Sequence, residues 1–371
     1  MSTVRRLFRS RDIYDLSKTD DLFVRSMREN AVFQYNNCSD YKRILDEFDF
    51  DPQSIKTKKD LVKLPFIPTV YFKHHYLASV PDSKMVIKAT SSGTSGSMSM
   101  IGFNLRSLIT GAHMVKNVGR YHKLWSAKPT NYIIFGYQPT KDNKTAISKT
   151  AYGFTFFAPA ASRTFALNAT DKGYELDWDR VLKAMEKCAR SKLPMRTIGF
   201  PAYTYFLLKD MKAKGISCQM PKGSLITMGG GWKSFYTEKP DKEEFYRLVK
   251  EVLGIDEDHI IEFFGAVEHP ILYTDCRCHH FHIPCYGRVI IRDPDTFEEV
   301  GDGTPGLINL LTPMIDSTPV LSIMTDDLGV IHSEGCPCGA RSPYLEIIGR
   351  VGIEGIVTCA AGSEKYLKEG T

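Results

Sequence analysis

The sequence has no apolar run near the ~20 residues that a membrane-spanning helix needs. No long apolar segment follows the basic residues at the N-terminus, so no signal peptide is evident. It also lacks a dense lysine and arginine block, and its net charge of +5 is small for 371 residues. These absences argue against a transmembrane segment and against a nucleic-acid partner, and they predict a cytoplasmic protein.

The composition is that of an ordinary globular protein, with 43% apolar and 25% charged residues. The length suits one large domain or two ordinary ones. Nine cysteines are present, an odd number, and five of them lie between Cys276 and Cys338. That uneven spread favours a metal site in a reducing compartment over a framework of disulfides.

Apolar runs and helical periodicity alternate along the middle of the chain. The pattern predicts helices at 105–124, 177–191, 202–214 and 243–253, and strands at 132–136, 196–200 and 224–228. Asn104 is a suitable N-cap for the first of these helices. Alternation of this kind predicts an α/β fold with a mostly parallel sheet.

One short stretch is rich in hydroxyl side chains and glycine. Its members are Thr90, Ser91, Ser92, Gly93, Thr94, Ser95 and Gly96. Glycines let successive N–H groups turn toward one centre, and hydroxyls add donors, so the stretch suits a polyphosphate with Mg²⁺. No Gly-Lys-Ser/Thr follows, which excludes a Walker A loop, and the flanking residues predict a loop between two strands. A Ser/Gly linker is the alternative interpretation.

Residues 91–96 resemble the phosphate-binding loop of the AMP-forming adenylating enzymes. Within that group, the chain most resembles the acyl-protein synthetases of bacterial bioluminescence, followed by the phenylacetate-CoA ligases. Pro65 and Pro68 lie in a segment similar to the one that precedes the loop in those two families. The resemblance implies the large N-terminal domain of an adenylate-forming enzyme, with parallel and mixed sheets, helices and a β-rich segment.

The resemblance also implies an adenine site. Gly229, Gly230 and Gly231 follow a predicted strand, where glycines let a ligand approach the backbone closely, and they match a turn that lies against adenine. Phe264 takes the position of an aromatic ring that stacks on adenine. A tight turn into the next helix is the alternative for the glycines.

Three charged residues match phosphate and ribose positions of the family. Glu268 is expected to bind Mg²⁺, since a hard cation prefers carboxylate oxygen. Asp327 is expected to accept hydrogen bonds from both ribose hydroxyls, and Arg350 to contact ribose or phosphate at a hinge. Two departures occur, Val267 for a usual Thr and Asp326 for a usual Gly. A surface Glu and an ordinary Asp-Asp turn are the alternatives.

A second cluster combines thiols and imidazoles. Cys276, His282, Cys336 and Cys338 form the predicted ligand set for Zn²⁺, which prefers sulfur and nitrogen in a tetrahedron. Cys278 or His280 is the expected substitute. Four protein ligands leave no open position, so the site is predicted to be structural and to staple the β-rich segment. Free thiols and solvated histidines are the alternative.

The domain prediction places the large domain at 1–348 and a hinge with a short C-terminal tail at 349–371. The acyl-protein synthetases look truncated in the same way, with the C-terminal domain missing or reduced to a tail. They carry the acyl group on a cysteine of their own, and Cys359 matches it. The resemblance implies an acyl-accepting reductase or carrier as partner. Lys365, Lys368 or a partner protein is expected to replace the family's C-terminal lysine.

These patterns predict an AMP-forming ligase that activates a carboxylic acid, expected to be a long-chain fatty acid, with ATP and Mg²⁺. The acyl group would then pass to a cysteine thiol. Two alternatives stay open. The first is a phenylacetate-type ligase with coenzyme A as acceptor, and the second is a non-catalytic nucleotide-binding member of a biosynthetic complex.

Overall fold

The computed structural model describes residues 2–91, 98–140, 143, 145–171, 173–232 and 239–350. The chain forms two compact units. Unit 1 combines the segment up to Val118 with the segment from Ala266 onward, and unit 2 is Gly119–Gly265. No helix in the described ranges has the length and apolar character that crossing a bilayer requires.

The first segment of unit 1 is mostly helical. Its elements are α1 (Thr3–Phe8), α2 (Asp20–Asn37), α3 (Ser39–Glu47), α4 (Lys58–Val62), β1 (Ile67–Pro68), α5 (Tyr71–His74), β2 (Met85–Thr90), β3 (Met100–Asn104) and α6 (Leu105–Tyr121), whose last residues belong to unit 2. Asn104 caps α6, because its side-chain oxygen accepts the Ser107 N–H at 2.8 Å. β2 and β3 pair antiparallel, with Thr90 opposite Met100, and thus flank the hydroxyl-rich loop as predicted.

Unit 2 is an α/β layer structure. Its elements are β4 (Thr130–Tyr137), α7 (Ala146–Phe154), β5 (Ala160–Thr170), β6 (Gly173–Leu176), α8 (Trp178–Arg190), β7 (Met195–Gly199), α9 (Pro201–Ala213), β8 (Ile226–Gly229), α10 (Lys242–Leu253) and β9 (Ile260–Phe264). β4 pairs in parallel with β5 and β7, and β8 pairs in parallel with β9. β7 lies beside β8, since the Thr197 N–H donates to the Leu225 carbonyl at 3.0 Å. Only β6 is antiparallel among these pairs of the described part.

The core of unit 2 lies where helices cover this sheet. Buried side chains of the sheet and the helices form one apolar cluster that includes Ile133, Phe135, Val181, Met185, Leu207, Leu208, Met211, Val249 and Leu253. Strands that helices bury in this way have nearly continuous apolar stretches in their sequences. The predicted helices and strands of this region agree with the structure to within a few residues, and the mostly parallel sheet is confirmed here.

The second segment of unit 1 is β-rich. It contains β10 (Tyr273–Thr274), β11 (Phe281–His282), β12 (Arg288–Arg292), β13 (Gly306–Leu311), β14 (Ser322–His332) and β15 (Tyr344–Arg350). The sheet order is β11-β15-β14-β13-β12, and its pairs are antiparallel. β1 joins it in parallel with β14. The N-terminal helices pack on this unit: Phe8 stacks on Tyr286 at 4.6 Å, and Arg288 pairs with Asp20 at 2.6 Å.

Candidate functional site

The four predicted metal ligands converge in unit 1. Cys276 follows β10, His282 ends β11, and Cys336 and Cys338 lie between β14 and β15. One ligand atom from each lies within 4.8 Å of the others. The Sγ atoms of Cys276 and Cys336 are 3.7 Å apart. Two sulfurs bound tetrahedrally at ~2.3 Å from zinc are about 3.8 Å apart, so the spacing suits that ion.

The residues around the cluster favour the protonation states that bind a metal cation. The His282 Nδ1 donates to the Ser342 carbonyl at 3.0 Å, which leaves Nε2 as a free electron pair 3.2 Å from the Cys338 Sγ. Burial opposes ionisation of the Cys276 thiol, but its contact with the His282 ring and its hydrogen bonds with the backbone lower its pKa to about 6. A thiolate and a neutral imidazole are the forms that bind metal.

The two substitutes named from the sequence are adjacent to the cluster but outside it. The Cys278 N–H donates to the Cys276 Sγ at 3.3 Å, and its own thiol is half-buried. The His280 Nδ1 lies 3.3 Å from the Cys336 Sγ, and its ring stacks on Tyr344 at 4.0 Å. These contacts support the sulfur ligands rather than replace them.

The structure describes Thr90 and Ser91, the first two residues of the predicted phosphate loop, and the described chain resumes at Met98. The Ser91 N–H donates to the Ser99 carbonyl at 3.1 Å, and the Ser99 N–H donates to the Ser91 hydroxyl at 3.0 Å. This pair of bonds continues the β2–β3 hairpin beyond Thr90. The predicted residues Ser92, Gly93, Thr94, Ser95 and Gly96 lie outside the described residues.

Glu268 is a buried carboxyl group in unit 1, with 6% of its surface exposed. Burial raises the pKa of Glu268, and the Ser99 hydroxyl and the Lys73 charge act in the opposite direction. The nearby charge of Asp326 adds to the increase in this pKa. The predicted magnesium ligand is therefore a desolvated carboxyl group. A bound cation would favour the charged carboxylate form of that group.

Asp327 and Arg350 are brought together as cross-strand partners on β14 and β15. The Arg350 Nε lies 3.9 Å from the Asp327 Oδ1, and its Nη2 lies 3.5 Å from the Asp326 Oδ2. All three side chains are more than a quarter exposed, so the ion pairs contribute little to stability. The guanidinium and the two carboxylates are thus accessible to a ligand.

The glycine turn and Phe264 lie in unit 2. Gly229 pairs with Phe263, and a Cβ at Gly229 would lie 3.1 Å from the Phe263 carbonyl oxygen. Gly230 and Gly231 have φ values of +87° and +71°, which side chains rarely adopt. Phe264 ends β9 with a half-buried ring. This turn therefore requires glycine, because of the close backbone contact at Gly229 and the positive φ angles at Gly230 and Gly231.

Cys359, the predicted acyl carrier, lies outside the described residues, as do Lys365 and Lys368. Sequence reasoning missed two residues beside Glu268, namely Lys73 and Ser99. Ser99 comes three positions after the loop, which was the available signal. Lys73 is distant in sequence and had no motif of its own.

Comparisons with known proteins complete the description of the site. The sequence profile of the family described as "Acyl-protein synthetase, LuxE" matches residues 3–367. The long-chain-fatty-acid–luciferin-component ligase of Aliivibrio fischeri is 24% identical over 344 residues, covering 92% of this chain and 88% of that protein. The phenylacetate-coenzyme A ligase of Thermus thermophilus is 22% identical over 332 residues, covering 87% and 68%.

A solved structure shares the fold. It is an open conformation of 2-hydroxyisobutyryl-CoA ligase in complex with 2-HIB-AMP and CoA. Its TM-score is 0.68 at 14% sequence identity, and the match covers 92% of this chain and 72% of that one. The predicted adenylate-forming fold is thereby confirmed.

Proposed function

The chain belongs to the acyl-protein synthetase (LuxE) family, and from this membership we propose that it activates a long-chain fatty acid with ATP and transfers the acyl group to its own Cys359. The observation that carries the proposal is the family match, which spans residues 3–367 and so includes every predicted ATP-site residue and Cys359. The fatty-acid ligase activity named for the Aliivibrio fischeri relative supports the substrate class.

The first half-reaction is adenylation. A carboxylate oxygen attacks the α-phosphorus of ATP, a new C–O–P linkage forms, and the bond to the pyrophosphate oxygen breaks. The loop at residues 90–96 would hold the phosphates with N–H and hydroxyl donors. Asp327 would accept the ribose hydroxyls, and Arg350, its cross-strand partner, would face the same nucleotide.

Glu268 fits a magnesium ligand, because it is a buried carboxyl group with the Ser99 hydroxyl beside it. When bound, Mg²⁺ would neutralise part of the charge on the phosphates. Glu268 itself would supply a carboxylate oxygen to the ion.

The second half-reaction moves the acyl group to sulfur. The Cys359 thiolate attacks the carbonyl carbon of the acyl-adenylate, the C–S bond forms, and AMP leaves with the bridging oxygen. The thiol proton passes to solvent. A thiolate is a strong nucleophile for this step, and the thioester product stays reactive toward a reductase or carrier partner.

We assign the cluster of Cys276, His282, Cys336 and Cys338 to structural Zn²⁺. The spacing of the sulfur atoms supports that assignment, and so does the combination of cysteine sulfur and histidine nitrogen ligands. The thiols must remain reduced to bind the ion, and this supports the cytoplasmic location proposed from the sequence.

The proposal predicts a labelled polypeptide. The protein is incubated with ATP, Mg²⁺ and radiolabelled tetradecanoic acid and then run on a denaturing gel. We expect label on the chain that hydroxylamine releases, because thioesters react with that nucleophile. Cys359→Ser should abolish the label, whereas Cys38→Ser, at a buried thiol between α2 and α3, should keep it.

Two other outcomes identify the alternatives. If Cys359→Ser still forms a thioester with added coenzyme A, the acceptor is external, and the chain is a ligase of the phenylacetate type. If no carboxylate-dependent exchange of pyrophosphate into ATP occurs, the chain binds nucleotide without turnover, and the ligase assignment is wrong.

A further inference from the structure

Exposed aliphatic side chains lie at the start of α6 in unit 1. Leu105 and Ile109 lie about one turn apart on this helix and are 62% and 43% exposed. Val86 on β2 is 58% exposed, and its neighbour Met85 pairs with Asn104, the residue before Leu105. The three aliphatic residues therefore lie close together on the surface. Exposed apolar side chains that lie together mark an interaction site more often than scattered ones do.

Basic side chains extend this surface along α6. Lys116 follows Ile109 by about two turns and is exposed, so it lies on the same face of the helix. α1 lies beside this part of α6, because the Asn117 Nδ2 donates to the Phe8 carbonyl at 3.2 Å and to the Ser10 carbonyl at 2.8 Å. These two hydrogen bonds hold the end of α1 next to Lys116.

The first helix contributes two more positive charges to this surface. Arg5 lies on α1 and Arg9 follows its last residue, and both side chains are exposed. Burial lowers the pKa of His113 on α6, and the positive charges of these two arginines and of Lys116 lower it further. The basic side chains of both helices therefore act on one region of unit 1.

Few acidic side chains offset these charges. The two sequence stretches that supply the surface, 1–11 and 83–141, contain no aspartate or glutamate. Among acids from other elements, Glu29 on α2 accepts a hydrogen bond from the first residue of α1, and Asp316 pairs with Arg106 at 3.1 Å. The whole chain has 43 acidic residues against 48 basic ones, so the absence of acids from these two stretches is a local property. It gives this surface a positive charge.

The exposed aliphatic and basic side chains form one surface, the α1–α6 face, whose members are Arg5, Arg9, Val86, Leu105, Ile109 and Lys116. We propose that the α1–α6 face docks on a membrane surface that contains anionic lipids. Basic residues near such a surface each strengthen binding by about fivefold. The aliphatic side chains would enter the boundary between headgroups and acyl chains, where buried apolar area adds to binding. The protein would lie on the bilayer and would not span it.

The combination of side chains favours a membrane over a nucleic acid as the occupant of the face. A nucleic acid would bind the basic side chains through its phosphates, but it would leave Val86, Leu105 and Ile109 exposed. An anionic bilayer matches both kinds of side chain, because it has negative headgroups over an apolar interior. The inference does not depend on the proposed ligase activity.

Co-sedimentation of the full chain with vesicles tests this docking. Neither ATP nor a fatty acid is added, so the result is independent of the ligase assignment. We expect the parent protein to sediment with vesicles that mix phosphatidylglycerol and phosphatidylcholine, and to stay in the supernatant with phosphatidylcholine alone. High salt should release it, because counterions screen exposed charges. A parent protein that stays in the supernatant with anionic vesicles would overturn the inference and leave an acidic protein as the occupant of the face.

A double variant tests the basic side chains of the face. Arg9→Ala combined with Lys116→Ala should lower partitioning onto anionic vesicles about 25-fold, which is fivefold for each charge removed. Lys56→Ala combined with Lys63→Ala is the matched control, because it removes two exposed lysines outside the face. This control should bind the vesicles as the parent does. Equal losses for the two double variants would show that binding is not confined to the face and would overturn the inference.

A single variant tests the aliphatic side chains. Leu105→Ser should lower partitioning about tenfold, because a leucine side chain no longer leaves water for the membrane. Phe48→Ser is its control, since Phe48 is also 62% exposed but lies outside the face, and it should bind as the parent does. All substituted side chains are exposed, so each variant should unfold at the parent's temperature. If Leu105→Ser binds as the parent does, the face is a site for polyanions such as RNA, and the membrane inference is wrong.

Discussion

At the scale of single residues, burial makes His269 a determinant of acid stability. Its ring is fully buried, Nε2 lies 3.0 Å from the Tyr273 hydroxyl, and desolvation lowers its pKa to about 3. In the unfolded chain an imidazole titrates near 6.5, so below that pH only the unfolded form gains the proton. We expect the free energy of unfolding to fall by about 2 kcal/mol from this residue between pH 6.5 and pH 5.

Urea unfolding at pH 7 and pH 5 measures this effect. His269→Gln should remove the contribution, so that its unfolding free energy changes less with pH than that of the parent. His74→Gln replaces an exposed histidine and should keep the parent's pH dependence. Identical pH dependence for the parent and His269→Gln would show that the buried imidazole takes up its proton in the folded state.

At the scale of elements, the pairing of β14 with β15 sets the geometry of the nucleotide residues. The register shifts between Leu328 and Gly329, and this irregularity leaves Asp327 opposite Arg350. A Cβ at Gly329 would lie 2.6 Å from the Glu346 carbonyl oxygen. Gly329→Ala should therefore push the strands apart, cost about 1–3 kcal/mol in thermal or urea unfolding, and raise the KM for ATP.

Gly301→Ala is the control for this change, because a Cβ there would meet no atom within 4 Å. It should leave both the unfolding free energy and the KM for ATP near those of the parent. If Gly329→Ala had a normal KM for ATP, the pairing of β14 with β15 would not affect nucleotide binding. That result would contradict the assignment of Asp327 to the ribose hydroxyls.

At the scale of the whole molecule, the metal cluster joins positions far apart in the chain. Cys276 and Cys338 are the outermost of its four ligands, and most of the β-rich segment lies between them. We expect elemental analysis to find about one zinc per chain. Cys336→Ser should lose the metal and destabilise unit 1 by roughly 4 kcal/mol, the scale for a cross-link that closes a loop of this size.

Cys278→Ser is the informative control for the cluster. The Cys278 thiol is outside the four-ligand group, so this variant should retain the zinc and most of the stability of the parent. If Cys278→Ser lost the zinc and Cys336→Ser retained it, Cys278 would be the ligand in place of Cys336, and the predicted ligand set would be wrong.

Local patterns in the sequence were sufficient to predict most of the helices and strands of unit 2 and the order of the motifs along the chain. Helical and strand periodicity reflects which faces are buried, so 177–191 and 196–200 were predictable within a residue or so of α8 and β7. The strand β5 was not predicted, because its two ends are largely polar and exposed. The density of thiols and imidazoles likewise indicated a metal cluster, because few other arrangements use that combination.

Tertiary structure alone decided which of these residues meet. The sequence predicted His282 as the nitrogen ligand with His280 as the substitute, and the structure places His282, on β11 beside β15, in the four-ligand group. The charge of Lys73 acts on the pKa of Glu268 although the two residues are far apart in the chain, and β1 likewise pairs with the distant strand β14. Composition and spacing identify the groups that can do chemistry, whereas strand register and packing between distant segments determine their distances, since such contacts leave no local pattern in the chain.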